Sequence, residues 1–104
     1  MQTGELNARI VKIIGTRYPR LRKMIRNHPY TKIVGAGIIK CLTDDMGMQN
    51  DEIDDALLEA MVDRGIALYH EREEQIQQMP VLEHKRKLLC EDLKQTATQL
   101  IAAG

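Results

Sequence analysis

Phenylalanine and tryptophan are absent from this 104-residue chain, and its only aromatic residues besides histidine are Tyr18, Tyr30 and Tyr69. A core must therefore be assembled from Ile, Leu, Val, Met and Ala, which suit helix-on-helix packing. At this length the chain forms one domain with a thin core, to which self-association would add buried area. Cysteine is nearly absent too. Cys41 and Cys90 stand 49 positions apart with no C-x-x-C spacing, which excludes a disulfide framework and a zinc-type ligand set and predicts reduced intracellular thiols. No apolar run is long enough for a membrane span, and no charged-then-apolar leader opens the sequence. The expectation is a cytoplasmic protein with no membrane segment.

Net charge is also lacking: 15 Lys/Arg balance 15 Asp/Glu. The balance conceals a strong segregation. Residues 1–43 carry nine Lys/Arg against Glu5 alone, a balance of +8. Residues 44–75 carry eleven Asp/Glu against Arg64 and Arg72, a balance of −9, and the remainder comes to +1. In sequence order the chain is an electrostatic dipole.

Signatures of chemistry are missing as well. VGAGIIK, residues 34–40, has the glycines but not the G-x-x-x-x-G-K-[ST] order of a phosphate loop, so close helix packing is the reading of Gly35 and Gly37. The carboxylates at 44, 45, 51, 52, 54, 55, 59 and 63 do not follow the calcium-loop order. His70 with Glu73 and Glu74 lacks the E-x-x-H that would make a dimetal site in a bundle. His28 and His84 have no such neighbours. A surface histidine, no metal, no cofactor and no enzymatic activity are the expectations, because a catalytic site needs converging polar groups and this chain spends its polarity on helix faces.

What is present is helical periodicity. Leu6, Ile10, Ile13 and Ile14 fall on one stripe, with Thr3 as the expected cap and Gly15 as the expected end. Pro19 suits the first turn of a second, short helix that His28-Pro29 stops. That helix would gather Leu21, Met24, Ile25 and His28 on one arc and Arg22, Lys23 and Arg26 on the other. Residues 31–43 read as a third helix with Val34, Ile38, Cys41 and Leu42 inward, a strand being the alternative because of the two glycines.

Residues 44–49 read as a turn, and Asn50 as the cap of a long helix whose first turn is rich in Asp and Glu. Nothing breaks the pattern from 51 to 79. One continuous helix there would span about 44 Å at 1.5 Å per residue, with Ile53, Leu57, Ala60, Met61 and Leu68 inward, widened by Leu58, Gly65 and Tyr69. After Pro80, Leu82, Leu89, Leu93, Thr96 and Leu100 form a coiled-coil-like seam. The fold class is therefore all-α: short N-terminal helices in a basic part, 1–43, then a long antiparallel helical hairpin, 50–102, within one domain, 1–104. A homodimer is expected, with Leu57, Met61, Leu68, Leu82, Leu89, Leu93 and Leu100 as the residues of a dimer or protein-partner interface.

The segment TRYPRLRKMIRNHPY, residues 16–30, holds Arg17, Arg20, Arg22, Lys23 and Arg26 with no acid, and Lys32 follows it. Guanidinium groups clustered on one arc beside tyrosines suit a phosphate backbone. The bland alternatives are an ordinary solvated face, or a face neutralised by the chain's own acidic helix. A DNA-reading helix-turn-helix is disfavoured, because residues 31–43 offer no Asn, Gln or Arg to read base edges. The expected function is a small regulatory or accessory protein holding an acidic partner, nucleic acid first, through this basic part. The alternative is an adaptor, inhibitor or chaperone-like protein that binds a protein through its acidic hairpin and apolar stripe.

Overall fold

The computed structural model describes residues 2–103. It is all-helical, with no strand among the described residues. Among the described residues, five helices are separated by short turns. Helix α1 is Gln2–Arg17. Helix α2 occupies residues 30–45 as three consecutive pieces, wide π-type turns at Tyr30–Gly35 and Lys40–Asp45 flanking an α-helical turn at Ala36–Ile39. Helix α3 is Asp55–Glu71, α4 is Glu73–Gln78 and α5 is Leu82–Ala103.

Helix α2 is the centre of the molecule. Thr31, Ile33, Val34, Gly35, Gly37, Ile38, Cys41 and Leu42 are all buried on it, so it is apolar on nearly every side, as a helix surrounded by others must be. Leu6, Ile10 and Ile14 of α1, Leu58, Met61, Val62 and Leu68 of α3, and Leu89, Leu93 and Ala97 of α5 complete the core. Each fully buried Leu or Ile side chain contributes about 1.5–3 kcal/mol from apolar area removed from water. The helix expectation for 31–43 holds, and Val34, Ile38, Cys41 and Leu42 point inward as the spacing required. Burial pushes the Cys41 thiol up to about 12, with Cys90 and Asp45 acting in the same direction.

Close approach explains the glycines. A Cβ on Gly35 would stand 3.2 Å from Ile10 Cγ2, and one on Gly65 would stand 2.5 Å from Val34 Cγ1. The backbones of α2 and α3 can meet because position 65 has no side chain. Among the described residues Gly47 alone adopts the left-handed conformation, at φ +65°, and it closes α2 by letting the Met48 amide donate to Leu42 O.

Several boundaries differ from the sequence reading, each for a physical reason. Helix α1 starts before Thr3 and passes through Gly15 to Arg17, and the Ile25 side chain lies against Gly15, where a Cβ would stand 3.4 Å from Ile25 Cδ1. The expected second helix is instead two single 3₁₀ turns, Pro19–Leu21 and Ile25–Asn27. Its bonds run three residues back, Met24 N–H to Leu21 O and Asn27 N–H to Met24 O among them, and Met24 at φ −120°, ψ 10° interrupts any longer ladder. Leu21 and Ile25 still pack against the core, but Met24 turns outward and is 56% exposed.

Asn50 does not cap α3. Residues Asn50–Glu52 form a separate turn with a capping box from Gln49 and Glu52, and Asp54 caps α3 by accepting the Leu57 amide at 2.7 Å. Arg9 holds this acidic segment to α1: its guanidinium donates to Asn50 O and Oδ1, to Ile53 O and to Asp55 Oδ1.

The expected continuous helix over 51–79 breaks at Arg72, which sits at φ −111°, ψ 17°. The Arg72 guanidinium donates to Leu88 O at 2.6 Å and pairs with Asp92 on α5, so the turn is anchored sideways. The bend returns Ile76 to the core at 1% exposure. A helix of about 44 Å would exceed the longest dimension of the molecule, 35 Å. The radius of gyration, 12.8 Å, equals the ~13 Å expected of a compact chain this long, so no polar arm projects.

Candidate acidic-partner interface

The basic half of the chain divides into cations that bind the protein itself and cations that do not. Arg17 belongs to the first group: its Nε lies 2.7 Å from Asp63 and its Nη2 3.6 Å from Glu59, both on α3. Arg9 pairs with Asp55 at 2.8 Å and Lys40 with Glu83 at 3.6 Å. The seam between α1 and α3 is thus a short ladder of opposite charges. Part of the N-terminal excess is spent there, and the signal for Arg9 in the sequence was only its membership of the basic half.

Arg20, Arg22, Lys23 and Arg26 belong to the second group. All four are exposed on the loop 19–27, and among the described residues none has a carboxylate within 4.0 Å. Lys32 is exposed on α2; its carbonyl accepts the Arg86 Nε–H at 2.8 Å, while its ammonium has no such carboxylate among the described residues. Short 3₁₀ turns cannot bury much of themselves, so the cations of this loop are held outward on a backbone tied down by Leu21 and Ile25.

The loop is also closed at its root by rings. Tyr18 precedes it and Tyr30 follows it, with ring centroids 5.2 Å apart. Tyr30 further contacts His28 at 4.5 Å, His70 at 5.5 Å and Tyr69 at 6.0 Å. Its hydroxyl lies 2.5 Å from His70 Nε2, and His70 Nδ1 lies 4.0 Å from Glu73. The Tyr30 amide donates to His28 Nδ1 at 3.2 Å. Burial holds His28 below the ordinary imidazole range, and the proximity of His70 adds to this. Burial likewise raises the Tyr30 and Tyr69 phenols. The sequence set His70 beside Glu73 and Glu74 alone and gave His28 no such neighbours; positions 28–30 and 69–70 have no spacing pattern that joins them, and only the α2–α3 packing does. Among the described residues no three His, Cys, Asp or Glu side chains converge as a metal would require.

The seven leucine and methionine positions expected at an interface separate in the same way. Leu57, Met61, Leu68, Leu89 and Leu93 are in the core of a single chain, because α3 and α5 close on α2 rather than leaving a seam for a second copy. Leu82 and Leu100 remain in solvent at 37% and 40% exposure. Leu100 and Ile101 line a surface groove of about 420 Å³ with Met48, Ala56 and Leu57, and Glu52 and Asp54 stand on its rim.

No described helix is long and apolar enough to cross a membrane. Compared with known protein families, curated proteins and solved structures, the chain matches none.

Proposed function

We propose that this chain is a non-enzymatic accessory or regulatory protein that holds nucleic acid through phosphate contacts made by the loop 19–27. The observation that carries it is the contrast between Arg9, Arg17, Lys40 and Arg72, each paired with an internal carboxylate, and Arg20, Arg22, Lys23 and Arg26, which have none among the described residues. A surface that is merely solvated usually mixes both signs; this loop carries one. Guanidinium groups supply paired donors for phosphate oxygens. Nothing on α2 offers base-edge recognition, so binding is general rather than sequence-specific.

Size-exclusion chromatography at low and high salt, with and without nucleic acid, tests the reading. A low-salt co-eluting complex that dissolves at high salt supports it. Arg22→Glu with Arg26→Glu should abolish the complex and keep the helical content; unchanged co-elution of that variant sinks the proposal.

A second reading has its own observation. The groove of Met48, Ala56, Leu57, Leu100 and Ile101, rimmed by Glu52 and Asp54, suits a cationic amphipathic segment of a protein partner, apolar face in the groove and basic residues at the rim. The homodimer part of the reading rests on Val81, Leu82, Leu100 and Ile101, the large apolar side chains α5 and its approach leave exposed. Elution volume across protein concentrations tests it, and a monomer at every concentration refutes it.

A further inference from the structure

From the ring cluster at the root of the basic loop we infer that the ligand is single-stranded nucleic acid, with bases stacked on Tyr18 and His70 while the loop holds the phosphates. The inference rests on the nucleic-acid reading above and specifies its substrate class.

The chain has three tyrosines, and all three meet in this cluster together with two of the three histidines. The cluster has an inner and an outer part. Tyr69 is 7% exposed and is an anchor. Tyr30 is ringed by four neighbours and tied through its hydroxyl to His70. Tyr18 and His70 lie at the edge, Tyr18 half-buried and His70 exposed. Of the five rings, these two are at the border with solvent: His70 is exposed, and Tyr18 packs partly on the core and on Tyr30.

Position in the chain supplies the second half of the argument. Arg20 follows Tyr18 by two residues, a span of at most about 7 Å, so a base on Tyr18 can keep its own phosphate within reach of that guanidinium. Stacking on aromatic side chains beside a cationic track is how single strands are held without reading sequence. A duplex keeps its base faces inside its own stack and can use only the cations.

Absence of tryptophan gives the test an internal probe, because all tyrosine emission of the protein arises from this cluster. Binding of a short oligothymidylate and of a DNA duplex of matched length is measured by anisotropy at low salt, with tyrosine emission followed after correction for nucleotide absorbance. The expected result is single-strand binding at least about tenfold tighter than duplex binding, with quenching by the single strand alone. Tyr18→Leu should cut the preference at least about fivefold and leave duplex affinity unchanged, and Tyr18→Phe should retain the preference. Equal affinity for the two ligands, single-strand binding without quenching, or a preference that Tyr18→Leu leaves undiminished overturns the stacking assignment and leaves the phosphate reading standing. Equal loss of both ligands in Tyr18→Leu makes Tyr18 a fastener of the loop and also overturns it. Binding of neither ligand removes the nucleic-acid reading itself.

Discussion

If the loop cations are phosphate ligands, their number fixes the salt dependence. Arg20, Arg22, Lys23 and Arg26 can neutralise four phosphates, and each released counterion contributes about −0.7 to the slope of log K against log salt for a single strand, so the parent protein should show about −2.8. Raising salt from about 50 to 200 mM then weakens binding about 50-fold. Arg22→Gln with Arg26→Gln removes two contacts without adding repulsion; the slope should fall to about −1.4 and the same salt change should cost about sevenfold. Arg17→Gln is the matched control. Its guanidinium is already held by Asp63 and Glu59, so the slope should not move, and the fold should lose less than about 1 kcal/mol for a half-exposed pair. Fluorescence anisotropy across a salt series reads all three proteins. A slope that Arg17→Gln lowers as much as the loop pair does, or one that the loop pair leaves intact, refutes the division of the basic half into internal and external cations.

The remaining predictions concern the scaffold that presents the loop. Gly65→Ala gains about 1 kcal/mol of helix propensity but drives a methyl against the stiff Val34 side chain, 2.5 Å away, an overpacking cost of about 1–3 kcal/mol. Urea unfolding should show net destabilisation, partly relieved by adding Val34→Ala; a Gly65→Ala protein as stable as the parent contradicts the α2–α3 approach. Among the described residues the buried Thr31 hydroxyl has no hydrogen-bond partner, so Thr31→Val should raise stability by about 1 kcal/mol, and a loss of that size would mean the hydroxyl is satisfied. His28 binds its proton less readily in the folded state because of burial and then His70, and its Nδ1 must be bare to accept the Tyr30 amide. The unfolded chain therefore takes up more protons as pH falls. The His28 contribution is intact above about pH 6.5 and is lost as pH drops through the lower folded-state value. In His28→Asn, whose carbonyl can replace the acceptor, the urea midpoint should fall less between about pH 7.5 and 5; an unchanged acid limb refutes the assignment.

Local chemistry alone determined much of this molecule. Without Phe or Trp, and with Ile, Leu and Val recurring at helical spacing, the chain read as all-helical, a strand staying open for 31–43 alone, and the stripes Leu6–Ile10–Ile14 and Val34–Ile38–Cys41 named core residues correctly because periodicity is a property of neighbours. Charge segregation was equally legible, since it is a count. Tertiary packing decided the rest. Arg72 is a good helix former, and only its bonds to Leu88 and Asp92 on α5 make it a bend. Leucines at 57, 89 and 93 looked like a seam for a second chain because spacing shows which face is apolar but not what covers it; the packing of this one chain buries them. Whether an arginine is spent or free depends on carboxylates 46 residues away, as with Arg17 and Asp63 or Arg9 and Asp55, and the gathering of Tyr18, Tyr30 and His70 likewise depends on how the helices pack. Such contacts join residues with no regular spacing between them, so composition and period carry no trace of them until the helices are packed.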